Sequence, residues 1–216
     1  MYRKIEGILS EWKEESVRKP LLITGARQTG KTYIMEKFGR EAFDAVIAVD
    51  FERNPAAKSI FDGDIGPEAI IPQLEALTGI RFVPGRTLII LDEIQACPRA
   101  ITALKYFCDS GLDLHVIGAG SLLGVAISRK DFSFPVGKVR TVRLCPLDFE
   151  EFLIASGDEG MATMCREAFL SRSPLPSAIH GRLLGLYRTY LVVGGMPDVV
   201  STYLERGSYF DAGEVQ

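Results

Sequence analysis

The chain has 216 residues, 47% of them apolar and 25% charged, with a net charge of −3. That is the profile of an ordinary globular protein, long enough to bury a sizeable core without covalent staples. The charge lends no support to a nucleic-acid partner, and no apolar run nears the ~20 residues of a membrane span. Four scattered cysteines (Cys97, Cys108, Cys145, Cys165) and two histidines (His115, His180) offer no metal-ligand cluster, and the cysteines read as reduced, in a cytoplasmic protein.

In chain order, Ile5, Ile8, Leu9 and Trp12 recur at helical spacing within residues 3–18, and Pro20 stops that helix. Residues 21–24 read as a buried strand, followed by a glycine-bearing turn and a helical pattern to about Phe38. A second strand is predicted over 45–51. The segment 53–86 is rich in Pro, Gly and Asp, with a helix near 67–77. The third strand, 87–91, is apolar after Thr87 and ends in Asp92-Glu93. Pro98 opens a helix that runs to about Ser110, with Gly111 behind it. A fourth strand over 114–117, with His115 as a core residue, leads into Gly118-Ala119-Gly120-Ser121. Residues 137–144 alternate in polarity, predicting a fifth strand with one wet face. From Pro146 onward the pattern is helical, over 149–155, 161–170 and from 179 to about 193. Strands alternating with helices predict an α/β fold with a mostly parallel sheet between two helical layers. The expected division is a core over 1–146 and a helical, lid-like segment over 147–216.

The strongest chemical signal is Gly25-Ala26-Arg27-Gln28-Thr29-Gly30-Lys31-Thr32, a P-loop between a strand and a helix. Its glycines let successive backbone N–H groups converge on phosphate oxygens, and the following helix, from Lys31 through Tyr33, offers its positive N-terminus. Lys31 is expected to reach the β- and γ-phosphates, and the Thr32 hydroxyl to ligate Mg²⁺. Asp92, at the end of a buried strand, would hold the same Mg²⁺, and Glu93 would polarise a water for attack on the γ-phosphate. Ser121, past the fourth strand, is a candidate to hydrogen-bond that water or the γ-phosphate. No Asn/Thr-Lys-x-Asp element for guanine occurs, which favours ATP. Three classes stay open on these residues: an ATPase acting as a switch or motor, a module that holds ATP with little turnover, and a small-molecule kinase. Glu93 beside Asp92 argues for water activation.

The stretches GARQTGKT, LIILDEIQ, GAGSLLG, LCPLDFEEF and YLVVGGMP, in this order, resemble a family of prokaryotic AAA-type ATPases over roughly residues 15–200. The resemblance implies a P-loop NTPase fold with sheet order 5-1-4-3-2, Ser121 at the sensor position, and the roles given above for Lys31, Thr32, Asp92 and Glu93. It also implies a further C-terminal domain beyond this chain. Two positions depart from the pattern: Tyr33 replaces a small residue, and Lys138 stands where the family commonly has arginine. No arginine finger can be placed among Arg27, Arg99 and Arg129, so a second copy of the chain or the C-terminal region is expected to supply one. The implied partners are ATP or ADP and a protein client. Arg129, Lys130, Arg140 and Arg143 could form a basic strip, although a solvated strand face is the simpler reading.

Overall fold

The computed structural model describes residues 1–121 and 134–215. They divide into two compact units, Glu6–Leu144 and a second formed by Met1–Ile5 with Cys145–Gln216.

The first unit is built on five parallel strands: β1 (Leu21–Thr24), β2 (Ala45–Asp50), β3 (Thr87–Asp92), β4 (His115–Gly120) and β5 (Arg140–Arg143). Their order is β2-β3-β4-β1-β5, which is 5-1-4-3-2 read from the other edge. Neighbours pair in parallel throughout. Parallel strands need crossovers, and here α2 (Lys31–Ala42), α3 (Pro67–Thr78) and α4 (Pro98–Asp109) supply them. This is the P-loop NTPase arrangement. The central strands β3 and β4 are buried along their whole length, which explains their near-continuous apolar runs. Edge strand β5 alternates between half-buried and exposed, as its alternating sequence requires.

The main core packs Leu22, Ile89, Leu91 and Val116 of the sheet against Phe61, Ile70, Leu104 and Phe107. Helix α1 (Ile5–Lys13) buries Leu9 and Trp12 completely; Trp12 Nε1 donates to the Lys19 carbonyl at 2.8 Å. His115 is buried edge-on against Trp12 and Phe43, with ring centroids 5.7 and 4.8 Å away. Burial pushes its imidazole pKa down, so the ring is neutral.

One boundary differs from the sequence reading. β4 does not stop at Ile117 but continues through Gly120. A Cβ on Gly118 would stand 3.0 Å from Ile94 Cδ1 and 3.1 Å from Leu22 Cδ1. The glycine there is a close-packing residue inside a strand rather than the start of a turn.

The second unit is helical: α5 (Phe149–Ala155), α6 (Glu159–Ser171), α7 (Ser177–Val193), α8 (Pro197–Arg206) and α9 (Tyr209–Val215). Asp148 and Glu151 form a capping box at the start of α5, with Glu151 N–H donating to Asp148 Oδ1 at 2.9 Å. Leu147, Phe152, Val193, Val199 and Val200 make one small core, and Leu153, Met161, Ala162 and Leu183 another. The sequence reading did not include α8 and α9. Their signals are present in α8, which has proline at its first position and a left-handed Gly207 behind it. Among the described residues no helix is long and apolar enough to cross a membrane.

Candidate nucleotide site

The site lies at the carboxyl ends of β1, β3 and β4, where the strands hand over to loops. Thr24 ends β1, and the loop from Gly25 to Gly30 leads directly into α2. Gly30 takes φ 87° and Gln28 φ 63°, so two left-handed residues within three positions curl the backbone into a turn of the kind that cups anions. Gly25 is required for a different reason. A Cβ there would meet the Leu144 carbonyl oxygen at 2.2 Å, and that backbone is fixed by Leu144 N–H donating to Thr24 O at 2.7 Å. Thr29 is fully buried, its hydroxyl donating to the Ala26 carbonyl at 3.0 Å.

Lys31 is buried at the first turn of α2. Its ammonium donates to the Ala26 carbonyl at 2.7 Å and the Gly25 carbonyl at 3.2 Å, so it folds back across the loop. Burial lowers its pKa, opposed by the charges of Glu93 and then Asp92. The ammonium that folds across the loop thus lies within the field of the acids at the end of β3. Thr32 and Asp92, sixty positions apart, meet directly: Thr32 Oγ1 donates to Asp92 Oδ2 at 2.5 Å. Asp92 Oδ1 accepts the Glu93 N–H at 2.9 Å. Burial raises the Asp92 pKa, while these two hydrogen bonds pull it back. A hard divalent cation would suit this hydroxyl–carboxylate pair. Among the described residues no group of three His, Cys, Asp or Glu side chains could hold a metal. An ion here would therefore complete its shell with nucleotide oxygens and water.

Glu93 sits in the left-handed region at φ 46°, at the head of a short 3₁₀ turn, Ile94–Ala96. Gln95 Nε2 donates to Glu93 Oε2. The sequence reading had Gln95 only as a letter of its motif and assigned it no role. Ser121 follows β4 directly, and its Oγ is buried without a hydrogen-bond partner among the described residues. Arg27 and Tyr33, both expected from the sequence to line the nucleotide, are exposed; Arg27 pairs with Glu52 at 3.6 Å.

The other cations considered are engaged elsewhere. Arg99 donates to the carbonyls of Phe61 and, at 2.6 Å, Gly63. Arg140 pairs with Glu15, and Lys138 pairs with Asp109 at 2.6 Å. Arg140 and Arg143 are an odd number of residues apart on β5, which puts them on opposite faces. They do not form a strip, and Arg129 and Lys130 lie outside the described residues, as do Leu122, Leu123 and Gly124 of the GAGSLLG stretch.

A family model described as AAA domain matches residues 17–153, more than half of the chain. Among solved structures, Drosophila ORC bound to DNA is similar with a TM-score of 0.48 and 17% identity, over 97% of this chain and 57% of that one. The Aeropyrum pernix ORC1 protein in complex with DNA gives 0.45 and 16%, over 74% and 50%. C. elegans PCH-2 gives 0.43 and 12%, over 77% and 46%. The chain thus spans about half the length of these structures. No curated protein matches it.

Proposed function

Because the chain belongs to the AAA domain family, we propose that it binds Mg·ATP on the loop from Gly25 to Thr32 and hydrolyses it, working as a switch or motor on a protein client. The observation that carries this reading is the Thr32–Asp92 contact at 2.5 Å. It joins the end of the P-loop to the end of β3 in the arrangement a nucleotide-bound Mg²⁺ needs. When bound, Mg²⁺ would offset charge on the β- and γ-phosphates. The chain's own groups do the rest. Loop N–H groups and the start of α2 bind the phosphates. Lys31 exchanges its two carbonyl partners for phosphate oxygens. Glu93 takes a proton from water, and Ser121 offers its buried hydroxyl beside the γ-phosphate. The presence of a carboxylate next to Asp92 favours water over another acceptor, and so hydrolysis over transfer to a small molecule. Because Arg99 and Arg140 are held by other partners, a second copy of the chain is a candidate source of an arginine.

Glu93→Gln tests the reading, because it keeps size and shape but removes the base. It should bind Mg·ATP like the wild type and turn over at least ~100-fold more slowly. Turnover near the wild-type rate would remove Glu93 from the mechanism.

A further inference from the structure

Glu93 has a task that its own backbone does not make easy. A carboxylate that accepts a proton from water must point at one spot, yet glutamate has three free side-chain torsions. Its backbone here is also in the left-handed region, at φ 46°, which disfavours a residue with a Cβ. The segment that follows supplies two restraints. Ile94 is fully buried and anchors the 3₁₀ turn, which is closed by Ala96 N–H donating to Glu93 O and Cys97 N–H to Ile94 O, both at 2.9 Å. Gln95 then reaches back and donates its side-chain amide to Glu93 Oε2.

The direction of that bond is fixed by chemistry. Only the NH₂ end of an amide can face a carboxylate; the reversed amide would set two acceptors against each other. With Nε2 on Glu93, the other end of the amide, Gln95 Oε1, is buried and has no partner among the described residues. A buried acceptor left open is costly, and it sits beside the carboxylate that is to activate water. Glu93 directly follows Asp92, whose Oδ2 accepts from Thr32 at the end of the phosphate loop, and its charge acts on the Lys31 ammonium that folds back across that loop.

We propose that Gln95 is a positioning residue for hydrolysis: its amide nitrogen fixes the Glu93 carboxylate toward the phosphate cradle, and its buried carbonyl oxygen accepts a hydrogen bond from the water that Glu93 activates. The proposal rests on the hydrolysis reading of this site. It extends that reading to Gln95, to which the sequence assigned no role.

The test is a double-mutant cycle on the full chain with Mg·ATP, measured in single-turnover assays beside ATP titrations. Gln95→Leu keeps the volume and removes both ends of the amide. It should lower turnover about 10- to 100-fold, the usual cost of misplacing a catalytic group or losing its supporting hydrogen bond. ATP affinity should stay within a factor of about two. In a Glu93→Gln background the same change should cost little more, because Gln95 only places the carboxylate and the water whose proton that carboxylate takes, and without the base this placement no longer counts. Gln95→Glu, which keeps the shape but sets a carboxylate against a carboxylate, should be at least as slow as Gln95→Leu. Full turnover in Gln95→Leu would overturn the inference alone. So would a loss that persists undiminished in the Glu93→Gln background, or one matched by an equal loss of ATP affinity, since either marks a merely structural residue. A wild-type chain that binds Mg·ATP and never hydrolyses it would overturn the ATPase reading, and this inference with it.

Discussion

Gly25 and Gly195 lie in different units and meet the same steric demand. A Cβ on Gly25 would stand 2.2 Å from the Leu144 carbonyl oxygen, and one on Gly195 2.1 Å from that of Leu147. In each case a backbone hydrogen bond holds the approaching strand of chain: Leu144 N–H to Thr24 O at 2.7 Å, and Leu147 N–H to Gly195 O at 2.6 Å. Their surroundings separate them. Beside Gly25, a left-handed Gly30 curls the loop and Lys31 folds its ammonium back onto the Gly25 carbonyl, the arrangement proposed above to hold phosphate. Beside Gly195 there is only packing: Val193, Val199 and Leu147 are buried, and Tyr190 donates its hydroxyl to the Leu147 carbonyl at 2.8 Å. A glycine inside a recognisable motif can thus serve chemistry or only close approach, and its neighbours decide which.

The largest expected effect breaks the comparison on the chemical side. Lys31→Ala removes the buried cation of the phosphate loop and should cost about 2–4 kcal/mol of ATP affinity, the range for losing a buried charged hydrogen-bond partner. Titration calorimetry reads it. An unchanged isotherm would refute the cradle. The residues packed around Gly195, Leu147, Val193, Val199 and Tyr190, carry no charge, so no single side-chain truncation among them should alter ATP affinity comparably.

The next effect tests the symmetry itself. Gly25→Ala and Gly195→Ala each force a backbone shift, costing about 1–3 kcal/mol of stability as overpacking does. Only the first should also weaken ATP binding. Thermal unfolding and calorimetry on both variants separate the outcomes; equal losses of affinity would show that the two glycines are not distinct in function.

The same contrast explains what the sequence made legible. In the first unit, apolar β3 and β4 alternate with helices, so the fold could be read, and the spacing of Gly25, Gly30, Lys31 and Thr32 is the one phosphate geometry asks for, so a cradle could be expected there. The meeting of Thr32 with Asp92 could be anticipated because a hydroxyl opening the helix after a P-loop and a carboxylate closing a buried strand are the two groups one Mg²⁺ would share. Gln95 could not, because its role depends on the left-handed backbone of Glu93, which nothing in a Glu-Ile-Gln run announces. The sequence places Gly118 just past the fourth strand, because the residues that require a glycine within it, Ile94 and Leu22, are distant in sequence. In the second unit, α7 carries exposed Leu191 and Val192 beside buried Val193. That helix is still legible, from 179 to about 193, whereas the ten-residue α8 and seven-residue α9 are too short to stand out from the pattern.

The smallest effect belongs to the helical unit and is electrostatic. Burial alone would raise the Asp148 carboxyl, but the hydrogen bond from Lys4 and those from the backbone N–H groups of Glu151 and Glu150 hold its pKa below the usual 3.8. Lys4 also pairs with Glu150, at 2.6 Å. A carboxyl whose pKa is lower folded than unfolded binds fewer protons in the native state below about pH 5. Its stabilising contribution is therefore complete above the unfolded value and is lost as the pH falls through the folded one. Half of the Asp148 side chain is exposed, so the ion pair is worth at most ~1 kcal/mol, and the helix cap about as much again. The two parts can be separated, because asparagine caps a helix as well as aspartate does but carries no charge. Asp148→Asn should keep the cap at neutral pH and flatten the acid dependence, whereas Asp148→Ala should lose roughly 1 kcal/mol at every pH. Hydrogen exchange of the Glu151 amide, which donates to Asp148 at 2.9 Å, reports on this helix end directly. Protection in the wild type should fall in acid, that in Asp148→Asn should stay nearly level, and that in Asp148→Ala should start low. If Asp148→Asn exchanged as fast as Asp148→Ala at neutral pH, the cap would depend on charge, and the Lys4 pair would be holding the start of α5.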